Sequence, residues 1–206
     1  MRDSNPTRIS AVRPAVLLSL ALSVAACGRS PITVAVVFPN SWTLGGETLT
    51  GSEASIVKAA AFDTLGKAYE GFAVRFVESP SGNRTIRVEE TPYSSPRYYA
   101  AGMTYPVARV SSVRFDVLFS LELAAARCPD MGGCSRRRND LLKGLGRGIG
   151  ATAAHELGHQ AGIRFVRDAR CDDCYDSNTS NTAAHFFGSK HWSPEALDLM
   201  RRILPR

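Results

Sequence analysis

The sequence of 206 residues has no internal repeat, and no segment after its first 26 residues is low in complexity. These absences exclude repeat architectures and fibrous chains. The excess of positive over negative charge is also small. The net charge is +6, and residues 1–26 supply +2 of it through three arginines and one aspartate. The remaining surplus of about +4 is spread along the chain, so we expect no nucleic-acid partner. We interpret the run from Arg136 to Arg138 as a solvated loop rather than a phosphate-binding patch.

Long hydrophobic runs are missing as well. The longest, PAVLLSLALSVAA, covers residues 14–26 and follows three arginines. About 13 apolar residues are too few to span a bilayer as a helix, and this layout is typical of an export signal. The hydrophobic content of 44% and charged content of 21% predict a folded globular protein, and the length suits one domain.

The end of the apolar run, Val24-Ala25-Ala26-Cys27, resembles a bacterial lipobox. The resemblance implies cleavage before Cys27 and attachment of lipid to its thiol, with Gly28 matching lipoproteins sorted to the outer membrane. A plain secretory signal with a chance cysteine is the alternative. We therefore expect a signal peptide at 1–26, a tether at 27–31 and a single domain at 32–206, facing the periplasm or the cell surface.

Cysteines are few, and their number is odd. If Cys27 carries lipid, four of the five remain, as two local pairs. Outside the cytoplasm such pairs predict the disulfides Cys128–Cys134 and Cys171–Cys174. The alternative is one zinc ion held by four thiolates, although the first pair does not have the usual C-x2-C spacing.

Patterns along the chain predict an α+β fold, with one mixed β-sheet backed by helices. A helix is expected after Ser52 as its N-cap, ending near Gly71, and another after Ser193 and Pro194. His191 and Trp192 are interpreted as the entry to this last helix, packed on the core. The Pro- and Tyr-rich segment 91–108 is expected to be a loop. Strands are predicted at 32–38, 72–79, 85–91 and 111–123.

The sequence HELGH at residues 155–159 matches the pattern HExxH. On a helix, residues four apart lie on one face, so His155 and His159 can bind one metal ion. Imidazole suits zinc, and zinc lowers the pKa of its bound water to about 7. Glu156 is rotated by one position and can act as general base on that water and as acid toward the leaving amine. We expect the motif on a helix from about Gly148 to Gly162; the alternative is a surface helix with an accidental match.

HELGHQAG resembles the first part of the metzincin signature HExxHxxGxxH, in the form found in matrixin-type bacterial metallopeptidases. The resemblance implies a zincin-like fold, zinc ligation by His155 and His159, a catalytic Glu156, and a turn at Gly162 beneath the zinc. The motif itself matches over about eight residues. Over the rest of the chain, only the predicted order of strands and helices is similar to that of the metzincin core. Two features depart from the family: Phe165 stands at the third ligand's position, and Tyr175 stands where a methionine is expected.

The third zinc ligand must then come from elsewhere, because catalytic zinc sites normally have three protein ligands. His185, in AAHFFG, is slightly favoured, and Asp168 is next, three residues past the expected place. A packed core histidine is the plainer interpretation of His185. Further candidates lie around the second cysteine pair: Asp172, Asp173 and Asp176.

The sequence thus predicts a zinc-dependent metalloendopeptidase that hydrolyses peptide bonds and is anchored by Cys27 as an outer-membrane lipoprotein. Its expected partners are a peptide or protein substrate and the membrane, and we expect a monomer. The alternative is a degenerate zincin-fold lipoprotein that has lost its metal and serves as a binding or structural module. A zinc hydrolase acting on a non-peptide amide shares the same motif.

Overall fold

The computed structural model describes residues 30–91, 100–163, 171–177 and 180–206. Cys27, Phe165 and Asp168 lie outside these ranges. Among the described residues, no helix combines the length and apolar character needed to cross a membrane. The elements are β1 Ile32–Val37, β2 Thr43–Leu44, β3 Glu47–Thr48, α1 Gly51–Ala68, β4 Val74–Glu78, β5 Arg84–Glu89, β6 Gly102–Tyr105, β7 Val110–Arg114, α2 Phe115–Ala126, α3 Arg138–Gln160, α4 Ala183–Phe187 and α5 Pro194–Ile203.

The main sheet has five strands in the order β4-β1-β5-β7-β6. Strands β4, β1, β5 and β7 are parallel, whereas β6 pairs antiparallel with β7 and forms one edge. Val34, Ala35 and Val36 of the inner strand β1 are fully buried, as expected for a parallel strand covered on both faces. The mixed sheet with helices agrees with the predicted class, and most of its strands are parallel.

The prediction of one strand over 111–123 is wrong. Strand β7 ends at Arg114, and α2 begins directly at Phe115. Phe115, Leu118, Phe119 and Glu122 are the buried residues of α2, and their spacing of three to four residues is helical. A short apolar run does not distinguish a buried strand from a buried helix, which is why the sequence pattern misled here.

The prediction of a loop over 91–108 is wrong for residues 102–105, which form β6. This strand is short and pairs on one side only, with Met103 opposite Ser112 and Thr104 opposite Ser111. The composition of this segment is typical of loops. It forms a strand because it pairs with β7, and that pairing exists only in the folded chain. Residues 92–99 of the same prediction lie outside the described part.

One of the two predicted helix caps differs from the structure. The N-cap of α1 is Thr50 rather than Ser52: Thr50 accepts a hydrogen bond from the backbone N–H of Glu53, whose side chain accepts one from Thr50 N–H in return. The predicted cap of α5 is confirmed, since Ser193 Oγ accepts from Ala196 N–H and Pro194 occupies the first turn.

The helix that carries HELGH starts at Arg138, ten residues before the predicted start at Gly148. Arg138 is thus no part of a solvated loop: its guanidinium pairs with Glu53 at 2.6 Å and with Glu47 at 2.8 Å. Glycines occur within this helix where neighbouring elements approach it closely. A Cβ on Gly146 would collide with the carbonyl oxygen of Val57 in α1.

This close approach of α1 and α3 makes a testable prediction. Gly146→Ala should lower the free energy of unfolding by about 1–3 kcal/mol, because the added methyl group meets backbone and the two helices must separate. Gly66→Ala is the matched control. Gly66 occupies an exposed helical position, and a Cβ added there would meet no atom within 4 Å, so alanine should stabilise the helix by about 1 kcal/mol. Urea denaturation measures both; equal effects would contradict the packing account.

One buried acid in this layer was not predicted. Glu122 of α2 is fully buried, and its carboxyl group faces Gly144 of α3. Burial raises the pKa of Glu122 to about 8, opposed by the charge of Arg136. The side chain is therefore largely protonated at neutral pH, which removes most of the cost of burying it against Gly144 of α3.

Candidate metal centre

The last turns of α3 bring His155 and His159 together, as their spacing predicts. Their rings are perpendicular with centroids 4.5 Å apart, and the two Nε2 atoms are 2.9 Å apart. Two nitrogens bound to one tetrahedral zinc at 2.0–2.1 Å would be about 3.3 Å apart. The pair therefore already has nearly the spacing that a shared zinc ion requires.

Each ring is oriented by a backbone carbonyl. His155 Nδ1 lies 2.7 Å from the carbonyl oxygen of Tyr175, and His159 Nδ1 lies 2.8 Å from that of Ile163. Gly162, with φ +91°, turns the chain at the end of α3 so that Ile163 can reach back to His159. This is the turn that the resemblance implied for Gly162.

These contacts settle where the imidazole hydrogens lie. A carbonyl oxygen only accepts, so each Nδ1 must carry the hydrogen and each neutral ring presents a lone pair at Nε2. Burial and the neighbouring His159 lower the pKa of His155 to about 4, so this ring does not carry a second proton near neutral pH. At 2.9 Å, two Nε2 lone pairs need a shared cation, either a proton or a metal ion. The donor set therefore fits zinc, with Nδ1–H held by carbonyls as in known sites.

Glu156 lies beside the pair and points toward β6. Its side chain is buried, and Thr104 Oγ1 donates a hydrogen bond to its Oε2. Burial raises the pKa of Glu156, and the hydrogen bond from Thr104 opposes that rise. The carboxylate packs so closely on β6 that a Cβ on Gly102 would come 2.5 Å from Oε1. Only glycine leaves room at this position.

A cavity of about 780 Å³ opens beside these side chains. Glu156 and His159 line one side, and the β6 residues Met103 and Thr104 line another. Ile163, after the turn, closes the end. The size is within the range of ligand-binding clefts, so a bound molecule can reach the histidine and the carboxylate together.

The structure does not bring His185 to the histidine pair. His185 is buried on α4, and its Nε2 lies 3.0 Å from the carbonyl oxygen of Gly148 and 3.1 Å from Thr152 Oγ1. Burial lowers the pKa of His185 to about 3. Its Nδ1 has no hydrogen-bond partner within the described ranges. These contacts are those of a packed histidine that supports an earlier turn of α3.

The aspartates near the second cysteine pair also have other contacts. Asp176 accepts hydrogen bonds from Ser193 N–H at 2.9 Å and Ser193 Oγ at 2.6 Å, and so fixes the start of α5. Asp173 groups with His191 instead of the pair on α3. In residues 30–91, 100–163, 171–177 and 180–206, no third metal-binding side chain joins His155 and His159.

Both predicted disulfides, Cys128–Cys134 and Cys171–Cys174, are present. Cys171, Asp173, Cys174 and His191 have their ligand atoms within 4.8 Å of one another, a grouping that can hold a metal ion only when the two sulfurs are not bonded together. Cys174 and His191 also form a β-bridge, and Tyr175 N–H donates to His191 O at 2.7 Å. The disulfide segment thus fixes the carbonyl of Tyr175 that orients His155.

Sequence reasoning missed two contributors to this centre. Thr104 fell in a segment assigned to a loop, and its pairing with Ser111 is visible only in the sheet. Tyr175 was considered only because it stands where a methionine was expected. In the structure its carbonyl oxygen orients His155. No residue-type signal reveals a backbone carbonyl, because every residue has one.

No protein-family model and no curated protein matches the sequence. Among solved structures, the chain is similar to a zinc-dependent peptidase from Methanocorpusculum labreanum, with 9% identity, a TM-score of 0.50 and coverage of 81% of this chain and 99% of that one. It is also similar to archaemetzincin from Methanopyrus kandleri, with 14% identity, a TM-score of 0.47 and coverage of 84% and 94%. The sheet and helices of this chain therefore have a fold similar to that of a zinc-dependent peptidase.

Proposed function

We propose that the protein is a zinc-dependent metallopeptidase that hydrolyses peptide bonds. One observation supports this most directly: the Nε2 atoms of His155 and His159 lie 2.9 Å apart, with Glu156 beside them at a cavity. Zinc in such a site lowers the pKa of its water to about 7 and so supplies a nucleophile near neutral pH. Imidazole pairs of this kind suit zinc better than magnesium or calcium, which prefer oxygen ligands.

The roles of the chain's own residues follow from their contacts. The carbonyls of Tyr175 and Ile163 hold both rings in the orientation and tautomer that ligation needs. Glu156 takes a proton from the attacking water and later passes it to the leaving amine. Met103 and Thr104 line the cavity on the side of β6, where a peptide would lie next to the centre.

Two residues are proposed for the third ligand, His185 and Asp168. The unpartnered Nδ1 of His185 supports the first, but the contacts of its Nε2 with Gly148 and Thr152 weigh against it. Asp168 is supported by its residue type, since carboxylates bind zinc, and by its position three residues after Phe165. We favour Asp168 on this balance.

We further propose that Cys27 carries lipid and anchors the enzyme at the outer membrane, facing the periplasm or the cell surface. The support is the lipobox-like sequence Val24–Cys27 after a short apolar run. The two disulfides of the structure are what an oxidising compartment allows. Endopeptidase action and a monomeric state belong to the same proposal.

Zinc content and cleavage test the proposed function together. Purified protein should contain about one zinc per chain and cleave casein, and a chelator should abolish cleavage until zinc is restored. His155→Ala and His159→Ala should each lose both properties, because one imidazole and the third ligand hold zinc only weakly. His191→Ala is the matched control: this histidine is exposed and outside the pair, so zinc and cleavage should persist. Protein that takes up no zinc even when it is offered would overturn the proposal and favour a non-catalytic module.

A further inference from the structure

A row of polar side chains connects Glu156 to the strands beneath α3. Thr104 Oγ1 is hydrogen-bonded to Glu156 Oε2 and lies 2.9 Å from Ser111 Oγ. Ser111 Oγ in turn lies 2.8 Å from Gln160 Nε2, on the last residue of α3. Ser111 is fully buried and Gln160 nearly so, which keeps water from competing for these contacts. The row therefore joins β6, β7 and α3 at the carboxylate.

The direction of these hydrogen bonds is fixed by one backbone group. Gln160 Nε2 lies 3.2 Å from the carbonyl oxygen of Thr85 on β5, and a carbonyl only accepts. The amide nitrogen must therefore face Thr85, and its second hydrogen points to Ser111 Oγ. Ser111 keeps its own hydrogen, and Thr104 Oγ1 at 2.9 Å is a closer acceptor for it than the backbone carbonyl oxygen of Glu156 at 3.5 Å. Thr104 is then left with its hydrogen for Glu156.

The hydrogen of Thr104 has two acceptors on Glu156. The backbone carbonyl oxygen of Glu156 lies 2.9 Å from Thr104 Oγ1, and the carboxylate oxygen Oε2 is closer. An ionised carboxylate forms the shorter and stronger bond. Oε1 lies near Gly102, a residue that lines the cavity. The row thus engages one carboxylate oxygen and leaves the other for chemistry.

We propose that Thr104, oriented by Ser111 and Gln160, is a positioning residue that fixes the carboxylate of Glu156 through Oε2, so that Oε1 is the oxygen that takes the proton from water. This inference rests on the proposed function. Thr104 does not itself bind metal or exchange the proton. Its effect is to hold a side chain with three rotatable bonds in one productive orientation.

Thr104→Val and Thr104→Ser test the role of the hydroxyl. Valine has the same shape without the hydroxyl, so kcat should fall by about 10- to 100-fold while KM and zinc content stay unchanged, as expected for loss of a hydrogen bond to a charged group. Serine restores the hydroxyl and should recover most of kcat. Thr91→Val is the matched control, because Thr91 Oγ1 donates to the carboxylate of Asp116 away from the cavity; its kcat should not change. A Thr104→Val enzyme with the kcat of the wild type overturns the inference.

A second measurement does not depend on activity. In metal-free protein, the folding equilibrium constants of wild type, Thr104→Val, Glu156→Ala and the double variant form a cycle. Thr104→Val should lower the folding equilibrium constant by a factor about tenfold smaller in the Glu156→Ala background than in the wild type. Equal factors in the two backgrounds would overturn the inference. If the wild type binds zinc and cleaves but the cycle is additive, only the positioning role fails. If the wild type does not cleave, the proposed function fails and the catalytic role of Thr104 fails with it, whatever the cycle shows.

Discussion

Glu156→Gln is expected to lower kcat/KM for peptide cleavage by about 100-fold to 10,000-fold, the range that general acid–base catalysis contributes. The amide cannot take a proton from water, yet its oxygen can still accept the hydrogen bond from Thr104 that the carboxylate accepts now. The surroundings of the side chain should therefore stay intact. The measurement is a steady-state assay on a fluorogenic peptide, with zinc content determined on the same samples.

Zinc content separates the base from the ligands in this experiment. Glu156→Gln should keep about one zinc per chain, whereas His155→Ala and His159→Ala should not. Glu122→Gln is the matched control, since Glu122 is a second buried glutamate and lies on α2 outside the cavity. Its kcat/KM should equal that of the wild type. Undiminished cleavage by Glu156→Gln would show that this carboxylate is not the base.

Trp192→Ala is expected to lower the free energy of unfolding by about 3–5 kcal/mol, the usual cost of removing a large buried aromatic side chain. The indole is 4% exposed and packs between Tyr69 and Tyr175 with centroid distances of 5.7 and 5.4 Å. It also touches α3 at Gly158, where a Cβ would lie 3.0 Å from the ring. Its Nε1 donates to the carbonyl oxygen of Ala68 at 2.6 Å, which satisfies an acceptor at the end of α1.

Trp192→Phe is the control for this prediction. It keeps an aromatic ring packed against α3 and removes the hydrogen bond to Ala68. The free energy of unfolding should therefore fall by about 1–2 kcal/mol, clearly less than in the alanine variant. Urea denaturation monitored by far-ultraviolet circular dichroism gives both values. Because Tyr175 packs on this indole and its carbonyl orients His155, the alanine variant should also bind zinc more weakly than the phenylalanine variant. Equal stability of the two variants would contradict this account of the packing.

Several local features of the fold were predictable because neighbouring residues alone decide them, although the N-cap of α1 at Thr50 was missed. The cap of α5 at Ser193 depends on a side chain and a backbone N–H three residues away, and the structure confirms it. The disulfides join cysteines separated by 6 and 3 residues, so spacing was sufficient. The proximity of His155 and His159 needs only a helix, because residues four apart share a face.

Features decided by distant parts of the chain were not predictable. The early start of α3 at Arg138 depends on ion pairs with Glu47 and Glu53 and on α1 packing against glycines. Strand β6 exists because β7 supplies its hydrogen bonds. His185 has the chemistry of a ligand, but the packing of α4 directs its Nε2 to Gly148. Residue type cannot reveal which of two chemically valid partners a side chain will meet.

By itself, the sequence determined that two imidazoles and a carboxylate lie within five residues, in relative positions that follow from the geometry of one helix. Only the tertiary structure decided what orients His155 and Glu156. The carbonyl of Tyr175 sets the tautomer of His155, and Thr104 on the sheet edge fixes the carboxylate, whereas His159 is oriented locally by Ile163. The physical reason is range: helical periodicity is a local property, whereas a hydrogen bond between residues 20 or 52 positions apart exists only after the chain has folded.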